Sequence, residues 1–69
     1  MTNYEVADKV LGELRNDANL DSLQMQDVQD YMDNNDTLPI GNRIMKWSVV
    51  VYFDNGKSLT IQRRSAWSI

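Results

Sequence analysis

The sequence predicts an α+β fold in the order ααββ: two N-terminal helices packed on a C-terminal antiparallel β-hairpin or small three-stranded sheet. Three observations predict it. There are two capping boxes, an apolar stripe at spacings of three and four behind each, and an Asn-Gly pair between two runs of β-branched and aromatic residues.

The first helix is expected at about residues 3–17. Thr2 and Glu5 form its capping box, in which the hydroxyl takes the amide three residues on and the carboxylate reaches back. Val6, Ala7, Val10, Leu11, Leu14 and Ala18 then recur at helical spacing. Gly12 weakens this helix by about 1 kcal/mol relative to Ala, and its small size makes it a candidate for close helix packing. The polar stretch Asn16–Asn19 is the stop. The second helix, at about residues 22–34, opens on Asp21 with Gln24, flanked by Leu20 and Met25 at the staple positions. Met25, Val28, Tyr31 and Met32 form its stripe, and Asp33-Asn34-Asn35-Asp36 ends it. So few residues join the helices that a helical hairpin or angled pair follows.

Pro39 forbids further helix and biases Leu38 toward extended geometry, which makes Leu38–Ile40 a candidate short strand. The main strands are expected at about 44–53 and 58–67, around the turn Asp54-Asn55-Gly56-Lys57. Two registers compete. A two-residue turn pairs Phe53 with Ser58. A three-residue turn, with Gly56 left-handed in a bulge, pairs Phe53 with Lys57 and Val51 with Leu59. The second gathers Trp47, Val49, Val51, Phe53, Leu59 and Ile61 on one face, and a one-residue slip would scatter them, so the bulged turn is favoured. It makes Trp47 a core residue and leaves Val50 and Tyr52 on the outer face. Trp67, in the tail, either closes the open edge of the core or protrudes as an anchor.

Sixty-nine residues make a single small domain, 1–69, near the lower end of what folds alone. Without Cys or His there is no disulfide, and a zinc site would need carboxylates alone; no metal and no cofactor is expected. A calcium loop counted from Asp33 puts Leu38 at position six and Ile44 at twelve, and the motif fails. The N-terminus has no basic n-region or apolar h-region, and the longest apolar run, Val49–Phe53, is too short to cross a bilayer. A soluble cytoplasmic protein is expected. With no His, no Cys, no Gly-rich phosphate loop and no nucleophile elbow, it is not expected to be an enzyme.

Charge carries the functional reading. Residues 1–36 hold nine acids and two bases, a balance of −7, while residues 37–69 hold five bases and one acid, a balance of +4. The overall −3 hides a polar molecule, and a one-signed face steers partners. Asp27, Asp30, Asp33 and Asp36 recur every third residue along one side of the second helix, with no Lys or Arg interleaved to relieve them. A solvated face is the plain reading of such a strip. A negative strip that engages a basic surface stands level with it, with Asp21, Gln26 and Tyr31 as weaker contacts.

The leading expectation is therefore an inhibitor or adaptor whose acidic helical face binds a basic, nucleic-acid-handling or defence protein. In size and charge the chain resembles the small acidic proteins that phages and plasmids raise against host nucleases, anti-CRISPR proteins among them; no motif carries the likeness. The alternative is a winged-helix or Cro-like DNA binder using Arg63, Arg64, Lys57 and Lys46 on the hairpin, against which the aspartates of the second helix would repel phosphate. A third reading is an oligomeric assembly subunit, a homodimer through Val50, Tyr52 and Trp67.

Overall fold

A computed structural model describes residues 2–63. Helices α1 (Asn3–Asn16) and α2 (Ser22–Asn35) precede strands β1 (Pro39–Ile44), β2 (Ser48–Phe53) and β3 (Ser58–Gln62). The strands form one antiparallel meander in the order β1-β2-β3. The chain is thus α+β in the expected order, with the three-stranded form of the sheet.

Both capping boxes form. Thr2 Oγ1 accepts from the Glu5 amide at 3.2 Å while Glu5 Oε1 accepts from the Thr2 amide at 3.1 Å. Asp21 and Gln24 exchange the same bonds at 2.8 and 3.0 Å. Each box satisfies amides that a helix start leaves without an intrahelical partner. Asn19 between the helices and Asp36 at the end of α2 adopt positive φ, 56° and 47°. Among non-glycine residues, Asn and Asp reach that conformation most easily, so these two sites turn the chain at little cost.

The β2–β3 turn takes the bulged register. Val51 pairs with Leu59 and Val49 with Ile61, the Phe53 amide donates to Lys57 O at 3.0 Å, and Gly56 sits at φ +83°. A side chain at that φ would be strained, which is why the turn requires glycine.

Three expectations are corrected, one strand is extended, and one lies partly outside the described residues. The continuous strand at 44–53 is broken: Ile44 ends β1, and Met45-Lys46-Trp47 turn into β2, with the Met45 amide bonded to Ser48 O at 2.9 Å. The candidate strand at Leu38–Ile40 is the beginning of β1, which runs on through the polar residues Gly41-Asn42-Arg43. An edge strand tolerates such residues, and Pro at its first position. Trp47 is not core. It lies on the β1–β2 turn, 52% exposed, because the chain reverses in the middle of the apolar run. Finally, β3 stops at Gln62, and residues 64–67 of the longer expected strand lie outside the described residues. Gly12 makes no close approach either, since a methyl group there would meet nothing within 4 Å.

Both helices lie on one face of the sheet. Val10, Leu14, Ala18, Leu20 and Val28 meet Val49, Val51, Phe53 and Ile61 in a single core. Burying each Val, Leu, Ile and Phe of this set stabilises by about 1.5–3 kcal/mol, so this layer holds the fold. α1 packs on β1, where Asn42 donates to Glu13 Oε1 at 3.0 Å. α2 reaches β2 through the Tyr31 ring, 4.5 Å from that of Phe53, and β3 through Gln24, which donates to Gln62 O. A clasp joins the α2–β1 link to the β2–β3 turn: the Thr37 hydroxyl and the Leu38 amide both donate to Asp54 Oδ1. Among the described residues no helix is long and apolar enough to cross a membrane.

Candidate interaction surface

The four aspartates of the α2 strip are all exposed. They do not share one side. A three-residue step on an α-helix falls about 60° short of a full turn, so nine residues carry the strip about 180° around the axis. Asp27 and Asp30 therefore border a groove against β3, beside Tyr31, Asn34, Leu59 and Ile61. Asp33 and Asp36 border a second groove toward α1, where they meet Asp8 and Asp54 beside Tyr4 and Met32. The expected single strip is thus a helix with acid on both flanks.

Local hydrogen bonds orient two of these carboxylates. Gln26 Nε2 donates to Asp30 Oδ1 at 2.9 Å, and Gln29 Nε2 to Asp33 Oδ1 at 3.0 Å. Neutral amides occupy the places four residues back where lysines would cancel charge. The helix carries no base at all, has no acid in its first turn, and places Asp33 and then Asp36 at its C-terminal end. The partial negative charge of a helix C-terminus disfavours acids there by about 0.3–1 kcal/mol each.

The weaker candidates divide. Gln26 is exposed beside Asp30. Asp21 is the N-cap, so its carboxylate is already engaged by the fold. Tyr31 is half-buried against Phe53 and shows the groove only part of its ring.

The basic residues are dispersed. Lys46 and Arg63 share the end of the sheet at the β1–β2 turn; Lys46 Nζ lies 5.1 Å from the centre of the Trp47 ring, and Arg63 Nη1 donates to Met45 O at 2.9 Å. Lys57 sits on the β2–β3 turn, at the other end of β2, about 20 Å away at the usual rise of a strand. Arg64 and Trp67 lie outside the described residues. On the face of the sheet away from the helices, Val50 is half-buried and Tyr52 is 41% exposed, flanked by Arg43, Ser58 and Thr60.

The proton affinity of Asp54 is lowered by its partners. The Thr37 hydroxyl, and next the Leu38 amide, hold its carboxyl below the ordinary value of 3.8. Among the described residues, no three acidic side chains come together as metal ligands would.

Sequence reasoning missed both grooves. The 60° drift of the strip was available as a signal. The approach of Asp8 and Asp54 was not, because it depends on how α1 and the β2–β3 turn pack around α2. No family model matches this chain, and no curated protein and no solved structure matches it either.

Proposed function

We propose that this protein is a small non-enzymatic interaction module of the cytoplasm. It acts as an inhibitor or adaptor whose acidic α2 face occupies a basic surface on a nucleic-acid-handling or defence protein, in the style of phage and plasmid anti-CRISPR proteins. One observation above all supports the reading: every charged residue of α2 is an acid, and Asp33 with the C-cap Asp36 stands at the end of the helix where its own dipole opposes them. A helix shaped for folding alone would reverse that order and interleave lysines. Positions that break a local rule without local compensation are where function is expected.

The test compares the native protein with an Asp30→Lys, Asp33→Lys variant as bait in a cell lysate, at low and high salt. The native bait should recover a basic protein in a salt-labile manner, while the variant, folded to the same extent by circular dichroism, should recover none. Equal recovery by both would remove the acidic face from the function. Recovery of nucleic acid lost on Arg63→Ala would favour the DNA-binding reading, which the separation of Lys57 from Lys46 and Arg63 weakens. Homodimerisation is a second reading, supported by the exposed Tyr52 beside Val50 on the uncovered sheet face. Truncating both residues to Ala should then halve the mass measured by light scattering at high concentration; an unchanged mass sinks it.

A further inference from the structure

The two edges of the sheet are not alike. β1 starts at Pro39 and is bulged between Pro39 and Gly41, and both features discourage an added strand. β3 has neither proline nor bulge. The Phe53 amide donates to Lys57 O, and the Arg63 amide donates to Trp47 O at 2.9 Å. Backbone direction alternates along an antiparallel strand, so Leu59 and Ile61 also face β2, while Ser58, Thr60 and Gln62 turn their N–H and C=O groups outward. Gln24 of α2, itself buried, takes the outward carbonyl of Gln62 at 2.5 Å and closes that end. The outward backbone groups of Ser58 and Thr60 have no partner among the described residues.

This open stretch forms one wall of the groove whose other wall is α2. Asp27 and Asp30 line it, no basic residue among the described residues does, and Leu59 and Ile61 supply apolar surface. One wall offers main-chain pairing and the other offers carboxylates. A β-strand satisfies the first and a basic one the second, as in peptide recognition by strand addition.

We propose that this groove takes an extended basic segment of the partner, added to β3 as a fourth strand with Arg or Lys at alternate positions turned toward Asp27 and Asp30. The proposal rests on the acidic-face reading above and narrows it to one flank of α2. Alternate residues of a strand stand about 7 Å apart. Asp27 and Asp30, three apart on a helix, have Cβ atoms about 5–6 Å apart. Two bases at such positions therefore meet two acids. The intervening side chains of the segment continue the uncovered face beside Thr60.

A short synthetic peptide alternating Arg with Val tests this against an isomer of the same composition with its arginines grouped at one end. Binding is read by fluorescence anisotropy, and amide exchange is followed on the native protein. The alternating peptide should bind about tenfold more tightly, the factor that about 1.4 kcal/mol of added pairing gives, and should slow exchange of the Ser58 and Thr60 amides. Thr60→Pro, which removes an outward N–H that the fold leaves unused, should erase that advantage. Equal binding of the two isomers, or no protection at Ser58 and Thr60, overturns strand addition; the exchange result decides even if Thr60→Pro fails to fold. If Asp27→Lys with Asp30→Lys still weakens both isomers alike, the acidic face survives and only the strand is lost. If that variant weakens neither isomer, the acidic-face reading falls as well.

Discussion

α1 and α2 are the same length, fourteen residues, and open on the same capping device, yet they are built for different ends. α1 buries Ala7, Val10 and Leu14, and carries Glu5 in its first turn and Arg15 in its last, as its dipole favours. α2 buries one apolar side chain, Val28, and one amide, Gln24. Its exposed charge is all negative, and Asp33 and the C-cap Asp36 lie at the wrong end. Folding explains the buried stripe, the capping box and the closing Arg15 of α1, although its C-cap, Asp17, is an acid as Asp36 is in α2. It explains the anchor points of α2 and leaves the rest of that helix to another demand, which we assign to a partner.

Substitutions can sharpen or break this contrast. The largest effect should come from α1: Leu14 is completely buried, and Leu14→Ala should cost about 2–5 kcal/mol in urea unfolding. The exposed Leu23 of α2 should cost less than about 0.5 kcal/mol on the same change. Equal losses would mean that α2 is as much a core helix as α1. Next comes the single polar anchor. Gln24→Ala deprives Gln62 O of its donor and dismantles the second capping box, so about 1–3 kcal/mol should be lost. A loss near zero would show that water replaces the amide at that edge.

A smaller effect, opposite in sign, is expected on the acidic side. Asp33→Lys places a base near the C-terminus of α2 and should raise stability by about 0.3–1 kcal/mol. A fall in the melting temperature would mean that Asp33 serves the fold, and the contrast between the helices would weaken. The slightest effect concerns pH. The folded-state pKa of Asp54 is depressed, so its contribution is complete above about 3.8 and is lost as pH falls through the lower folded value. Asp54→Asn should remove that limb from the profile of stability against pH. An unchanged acid limb would trace acid sensitivity to other carboxylates.

What the sequence disclosed, it disclosed through local chemistry. Thr2 with Glu5 and Asp21 with Gln24 are three apart and need no tertiary context, so both helix starts could be read directly. Asn55-Gly56 fixed the turn, and the demand that Val51 and Leu59 share a face fixed the register. β1 was harder because Gly41-Asn42-Arg43 has the composition of a loop; only its place at an edge, with α1 over it, makes it a strand. Trp47 misled for the opposite reason, an apolar residue at a turn, where composition outvotes geometry. The aspartates were visible from the start. Their division between two grooves was not, since β3 and α1 define those grooves from far along the chain.

The Thr37–Asp54 clasp also bears on how the chain reaches this state. Its partners are seventeen residues apart, and the segment between them contains β1, the first reversal and β2. Each strand of the meander pairs with its neighbour in sequence, so the sheet needs only short loop closures, which favours rapid assembly. The clasp can close only once β1 and β2 have docked in register and the tight turn after Phe53 has formed. A contact with those requirements is expected to form late, and its loss should then quicken unfolding more than it slows folding, which stopped-flow unfolding and refolding of Thr37→Val would check.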